Sequence, residues 1–294
     1  MLSIFVLRFA ITTLFVWLVF VLPDMLPTIQ AAEKGEEVKL NDTWSYLSTG
    51  NRDHDKYLEN LFTFLHKEFE SIFGADVVNG IKCTIYNDAE SASPFIHYVS
   101  DHELKIRLRT SSMSYWCQVV FQLAHEMTHY LYCQTYDYTK LYGSKWNEEI
   151  VCEAMSLYMM MQLAHQWGTC ELSEYDRHRI FPYSCSIYSY VADERNKGFE
   201  KALKSSQGAV PIQEFAGLNK TAGGDRENHR AETRHLYDLL ITLEKEQIKP
   251  IILEMYRYYL VEDCYIDYER WIKNTAYPDV IEKLSQIQPK IVVP

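Results

Sequence analysis

The sequence lacks the Lys/Arg-rich stripe on which nucleic-acid binding depends. Its 294 residues carry a net charge of −11, and the pI is near 5.4. Because nucleic-acid binders neutralise phosphates with clustered cations, this composition argues against a nucleic-acid partner. Internal repeats and low-complexity tracts are also missing. With 47% hydrophobic residues, the chain is typical of a folded protein with a buried core.

A regular cysteine pattern is missing as well. The chain has seven cysteines, an odd number, and no CxxC pair. Several lie in apolar helical stretches, where cysteine usually behaves as a small buried hydrophobe. No disulfide pairing can be named from this pattern, and cysteine usage does not settle the compartment. The seven are Cys83, Cys117, Cys133, Cys152, Cys170, Cys185 and Cys264.

Charge is absent from one stretch near the N-terminus. Residues 9–22 are apolar and uncharged, with Arg8 before them and Pro23 after them. This run has the length of a signal-peptide core, and it also suits an uncleaved membrane anchor. We therefore expect residues 1–32 to direct export, which makes the protein secreted or membrane-anchored, with its body outside the cytoplasm. In a third interpretation Met25 is the true start.

The next hundred residues show mixed periodicity. Residues 33–54 are polar and loop-like, and apolar residues at helical spacing predict a helix over 55–73. A strand is predicted over 81–86. A second strand, 104–109, alternates apolar and basic side chains. Because its basic side chains face outward, we predict that 104–109 is an edge strand.

The rest of the chain is predicted to be largely helical. Helices, short strands and then many helices indicate an α+β fold that is mainly α. Glycine and proline over 205–225 predict a long loop. One predicted helix begins near Ser114. The others cover 147–167, 186–205, 227–247, 249–262 and 265–285.

One of these helices carries the sequence His125-Glu126-Met127-Thr128-His129. A helix places His125 and His129 on one face, one turn apart, as two zinc ligands require. Glu126 follows the first histidine, in the position of a general base beside a metal-bound water. The surrounding helix is strongly apolar, so these polar groups would be buried, and a metal ion would relieve the cost of burying them unpaired.

The third ligand is expected on the following helix. Glu149 and Glu153 lie four residues apart in another apolar stretch, where two buried carboxylates repel each other unless a positive charge is near. We predict that Glu149 binds the metal and that Glu153 accepts a hydrogen bond from the free N–H of a ligand histidine. A register with Glu148 as the ligand remains an alternative. Cys152 is interpreted as a small core residue.

This pattern resembles that of the gluzincins, the thermolysin-like group of zinc metallopeptidases. Their signature is HExxH on one helix, then a glutamate ligand on the next helix and an acidic residue four positions later. Here these are His125 to His129, Glu149 and Glu153, where Asp is commoner than Glu. The resemblance implies a zincin-like catalytic core with a small twisted sheet, assigned to 33–167, and a helical C-terminal lobe, 168–294.

The resemblance also implies a function. In such peptidases zinc polarises the scissile carbonyl, a base (here Glu126) deprotonates the attacking water, and an edge strand above the metal binds peptide by strand addition. We therefore expect a zinc metallopeptidase acting on peptides or proteins. The alternatives are a non-catalytic zinc-binding protein on a peptidase-like scaffold and a coincidental motif. The side chain that would stabilise the oxyanion stays open among Tyr188, Tyr190, His229, His235 and Tyr237.

Overall fold

The computed structural model describes most of the chain from Gly35 onward. None of the helices in the described part of the chain combines the length and the apolar character that a membrane span requires. The apolar run at 9–22 and most of the predicted loop at 205–225 lie outside the described residues. The described residues are 35–135, 145–205, 210–211, 226–260, 265–287 and 291–292.

A mixed five-stranded sheet forms the first layer, with strand order β1-β2-β3-β5-β4. β2, β3 and β5 run parallel to one another, while β1 and β4 are antiparallel to their neighbours. Two of these strands, β1 and β2, lie in a stretch for which the sequence predicted only loop. The strands are β1 (Glu37–Lys39), β2 (Trp44–Leu47), β3 (Lys82–Asn87), β4 (Phe95–Ser100) and β5 (Glu103–Leu108).

The prediction that 104–109 is an edge strand is wrong. β5 lies between β3 and β4, and β4 forms the edge of the sheet. Alternation along a strand reports which face of the sheet is exposed, because successive side chains point to opposite faces. Lys105 and Arg107 point away from the buried face that holds Ile106, which is fully buried. Alternation carries no information about the in-plane neighbour, so it could not identify the edge.

Three helices pack against the sheet and against one another. α1 (Arg52–Phe73) begins at Asn51, whose side chain accepts hydrogen bonds from the backbone N–H groups of the first turn. It ends at Gly74, which has a positive φ of 96°. The short α2 (Ala75–Val78) follows. α3 (Trp116–Thr135) covers the sheet and carries the two motif histidines.

α3 and α4 (Lys145–His165) form the centre of the molecule. Both helices are buried on nearly all sides along their middle turns, as the core residues Leu123 and Met155 (0% exposed) illustrate. A helix that is hydrophobic all round belongs in the interior. Polar side chains on the facing surfaces of α3 and α4 are therefore largely buried, with His125 and Glu149 keeping 14% and 18% exposure.

The chain after α4 is helical with short strands. The helix predicted over 265–285 is two helices, because Pro278 lacks an N–H and suits a first helical position better than an interior one. The helix predicted over 249–262 is replaced by α7 and a 3-10 turn (Met255–Tyr258). The helices are α5 (Tyr183–Ser205), α6 (Arg226–Leu240), α7 (Lys245–Leu253), α8 (Tyr268–Asn274) and α9 (Pro278–Ser285).

The predicted α+β class, mainly helical, is confirmed. Two 3-10 turns (Trp167–Thr169 and Glu171–Asp176) follow α4. Two pairs of two-residue strands complete the described elements: β6 (Val210–Pro211) with β9 (Ile291–Val292), and β7 (Tyr259–Leu260) with β8 (Tyr265–Ile266). Residues 35–294 cluster as one unit. The division into a core and a lobe at 167/168 stays a prediction.

Candidate metal centre

Three side chains from two helices converge between α3 and α4. Nε2 of His125 lies 3.1 Å from Nε2 of His129. The carboxylate of Glu149 faces both rings, with Oε2 3.3 Å from Nε2 of His125 and Oε1 3.7 Å from Nε2 of His129. The two histidines meet because they are one helical turn apart on α3, and Glu149 approaches them from the first turns of α4.

The spacing of these atoms suits a small tetrahedral cation. Zinc binds imidazole nitrogen and carboxylate oxygen at about 2.0–2.2 Å, so tetrahedral ligand atoms lie about 3.3–3.5 Å apart. The three distances of 3.1, 3.3 and 3.7 Å scatter around that value. Two imidazoles and a carboxylate are also a donor set that zinc prefers. The residues present therefore fit a zinc ion.

The carboxylates and imidazoles of the cluster shift one another's pKa. Burial alone would raise the pKa of Glu149, but a hydrogen bond with His125 and the charge of His129 lower it to about 2. Burial would lower the pKa of His129, but contacts with Cys152 and Glu148 raise it well above the usual value. Burial also raises the pKa of the Cys152 thiol.

Glu148 holds the outer edge of the His129 ring. Its Oε1 lies 2.5 Å from Nδ1 of His129, and its Oε2 accepts a hydrogen bond from the hydroxyl of Tyr256. With Nδ1–H donating to this carboxylate, the lone pair of Nε2 points towards the cluster, as a metal ligand requires. Tyr256 lies 108 positions after Glu148, and no feature of the sequence pointed to it.

Glu126, the predicted base, is buried beside the cluster at 4% exposure. Burial raises its pKa, and Glu149 and Glu148 raise it further, while His125 and His129 act in the opposite direction. A carboxylate with a raised pKa is a stronger proton acceptor than an exposed glutamate. The structure therefore brings a basic carboxylate to the histidines, on the same helix.

Glu153, predicted to accept a hydrogen bond from a ligand histidine, contacts α6. Its Oε2 accepts a hydrogen bond from Thr233 on α6 at 3.2 Å, and Nδ1 of His229 lies 3.6 Å from it. Nδ1 of His125 is buried without a hydrogen-bond partner in the described part of the chain. The carboxylate that holds a motif histidine is Glu148, one residue before the predicted ligand.

Cys152 lies closer to the histidines than its sequence interpretation implied. Its Sγ and one ring nitrogen each of His125 and His129 all lie within 4.8 Å of one another. Its side chain is fully buried. The position follows from the helix, because Cys152 is one turn after Glu149 on the same face of α4. A thiol is thus available beside the three converging ligands.

Two of the five candidates for oxyanion stabilisation lie near the cluster. Phe121 stacks on the His125 ring, and the ring of Tyr190 packs against Phe121 at a centroid distance of 5.9 Å. His229 is close enough for its charge to lower the pKa of Glu149. Its Nε2 is buried and has no hydrogen-bond partner among the described residues. The other candidates are Tyr188 and His235, which are exposed, and Tyr237, which is buried.

Comparisons with known proteins add no relative to this picture. No protein-family model matches the sequence, and no curated protein or solved structure matches the chain. The functional argument therefore rests on the geometry and chemistry of the cluster formed by His125, His129, Glu149 and their neighbours.

Proposed function

We propose that this protein is a zinc-dependent metallopeptidase with a zincin-like core. The observation that carries the proposal is the convergence of His125, His129 and Glu149 at 3.1–3.7 Å, with a buried glutamate beside them. Three protein ligands leave a fourth tetrahedral position for water, which is the arrangement of catalytic zinc sites. The gluzincin resemblance of the motif points to the same chemistry.

The side chains then have separate tasks. His125, His129 and Glu149 hold the zinc ion, which when bound polarises the substrate carbonyl and lowers the pKa of a water molecule. Glu126 accepts the proton of the attacking water and passes it to the leaving amine. Glu148 keeps His129 in the required tautomer. The protein is exported, either secreted or membrane-anchored, and acts on peptides or proteins.

The edge strand supports a peptide substrate. β4 is antiparallel to β5 and is the last strand on its side of the described sheet, and the edge of a sheet is where an extended peptide adds by main-chain hydrogen bonds. The end of β5 is tied to the motif helix by Gln122, whose side chain accepts from the N–H of Arg109 at 2.8 Å and donates to its carbonyl at 2.9 Å. Gln122 precedes His125 by one turn, so the helix that carries the histidines is also bonded to the end of β5.

A second candidate function follows from Cys152. If its thiolate also binds zinc, the four ligands His125, His129, Glu149 and Cys152 close the coordination sphere, as in structural zinc sites. The protein would then be a non-catalytic zinc-binding module. We favour catalysis because Glu126 would have no role in a closed site, where an idle buried carboxylate is costly.

One comparison tests the two functions. In the catalytic account, Cys152→Ser keeps about one zinc per chain and stays within about threefold of wild-type casein hydrolysis, because three ligands remain. A chelator abolishes hydrolysis in both proteins, and added zinc restores it. In the structural account, wild type binds zinc without hydrolysing casein or a broad library of quenched peptides, and Cys152→Ser loses much of its zinc. That second outcome would contradict the proposed activity.

A further inference from the structure

The imidazole of His229 is a buried polar group that the proposed reaction leaves without a task. His229 belongs to the first turn of α6, and its side chain is 1% exposed. Its Nε2 is buried and has no hydrogen-bond partner among the described residues. Because a buried polar atom is destabilising unless it is paired, we expect this nitrogen to have a partner in the working protein.

The other nitrogen of the ring already has partners. Nδ1 of His229 lies 3.6 Å from Oε2 of Glu153 and 3.5 Å from the hydroxyl of Thr233, which is one turn further along α6. The Thr233 hydroxyl in turn donates to Glu153 at 3.2 Å. These contacts hold the ring through Nδ1, so Nε2 is the nitrogen that remains for another group.

The ring of His229 lies along one face of α4. It packs edge-on against the Trp146 ring at a centroid distance of 5.5 Å, and it contacts Glu153 through Nδ1. Trp146 and Glu153 are seven positions apart on α4, which is two helical turns on the same face. Glu149 lies between them on this face, three positions after Trp146 and four before Glu153. The ring is therefore placed over the part of α4 that carries Glu149.

The electrostatics of Glu149 agree with this placement. Burial raises the pKa of Glu149, but the two motif histidines and the charge of His229 lower it to about 2. His229 is thus close enough to Glu149 to act on it, while its Nδ1 contacts Glu153. Two buried carboxylates one turn apart repel each other, and an imidazole between them relieves that repulsion.

The burial of His229 decides how it can act on the metal centre. A side chain that is 1% exposed offers no surface to a substrate, so direct contact with a reacting peptide does not suit it. Its route to the centre is Glu149, the carboxylate assigned to zinc. Carboxylates that bind a metal are themselves held by hydrogen bonds, which fix the oxygen that faces the metal. A buried N–H beside Glu149 is suited to that task.

We propose that His229 is a positioning residue, whose Nε2–H donates a hydrogen bond to the carboxylate of Glu149 when Glu149 binds zinc. The inference rests on the proposed zinc site. Glu153 and Thr233 hold the ring at Nδ1, so Glu153 acts on the centre through His229. A ring that donates from both nitrogens is protonated, which matches its place between two carboxylates. Through this bond α6 contributes to a centre whose ligands all lie on α3 and α4.

Two substitutions separate the roles of the two ring nitrogens. In His229→Asn the side-chain amide falls near the position of Nδ1, whereas in His229→Gln the longer side chain brings the amide near the position of Nε2. Both variants lose the ring and its charge, so a difference between them reports the position of the remaining polar group. The zinc affinity of the full-length protein is measured by competition with a zinc-binding dye. Circular dichroism checks that each variant is folded.

We expect His229→Asn to lower zinc affinity by about tenfold, the low end for a partner of a metal ligand, and His229→Gln to stay within about threefold of wild type. If His229 only packed α6 against α4 through Nδ1, Asn would be tolerated better than Gln. That order, or equal affinities in all three proteins, would overturn the inference and leave the zinc site standing. Wild type that binds no zinc would contradict the zinc site and the inference together.

A measurement on the wild-type protein tests the same bond without any variant. Long-range ¹H–¹⁵N correlation spectra of zinc-loaded protein, labelled with ¹⁵N at histidine, report which nitrogens of each ring carry a proton. We expect a proton on Nε2 of His229, whose signals are identified by their loss in His229→Gln. An Nε2 that carries no proton could not donate to Glu149, and this result would overturn the inference even if His229→Asn did not fold.

Discussion

Replacing Glu126 by Gln will leave zinc bound and lower peptide hydrolysis by at least about 10²-fold, the low end of what removing a general base costs. Gln keeps the size and hydrogen-bonding capacity of the buried side chain but cannot accept a proton. Glu126 is 4% exposed and lies next to His125 in the chain, where it can serve the attacking water. Hydrolysis of a quenched peptide library and zinc content, measured on the same samples, check this result.

Glu68→Gln is the matched control for this change. Glu68 is also a buried glutamate, but it pairs with Lys245 at 2.9 Å and belongs to α1, which carries none of the proposed zinc ligands. The Glu68→Gln change is equally isosteric and should leave hydrolysis unchanged, although it weakens the ion pair with Lys245. If Glu126→Gln hydrolysed peptides as fast as wild type, Glu126 would have no role as a base.

Replacing Glu149 by Ala will remove zinc from the site, whereas Glu148→Ala will only weaken its binding. Glu149 faces Nε2 of both histidines, so its loss removes one of three ligands. Glu148 faces Nδ1 of His129, so its loss removes the partner that orients a ligand. Removing such a partner typically lowers metal affinity by about 10–100-fold. Removing Glu149 should lower the affinity by more than that. Competition with a zinc-binding dye measures both affinities.

Glu153→Ala and Tyr256→Phe complete the series. Glu153 contacts Thr233 and His229, so its removal should affect zinc affinity less than the loss of Glu148. Tyr256→Phe keeps the ring but removes the hydroxyl that donates to Glu148, and a small loss of affinity is expected. The assignment would be wrong by one residue if Glu148→Ala lost zinc while Glu149→Ala kept it.

The convergence of the motif histidines with Glu149 was predictable because it depends on local geometry. Residues four apart on a helix share a face, and buried polar side chains on two adjacent apolar helices have few places to lie except against each other. The helices that carry them, α3 and α4, are long and strongly apolar, which makes them easy to recognise. The sequence therefore indicated which side chains would meet.

Contacts between distant segments were not predictable in the same way. The bond from Tyr256 to Glu148 depends on how a 3-10 turn packs near α4, which no periodicity encodes. The edge position of β4 depends on strand order, whereas alternation encodes only the buried face. The partner of Glu153 was missed for a related reason, since α6 supplies Thr233 from eighty positions away.

The zinc content of the purified protein tests the central claim, that His125, His129 and Glu149 hold a zinc ion. Wild type and His125→Ala are incubated with zinc chloride, dialysed against zinc-free buffer and measured by elemental analysis. The His125 side chain is 14% exposed, so its removal threatens the core less than that of His129. We predict about one zinc per wild-type chain and close to none in the variant. Equal zinc in both proteins, or none in wild type, would contradict the account.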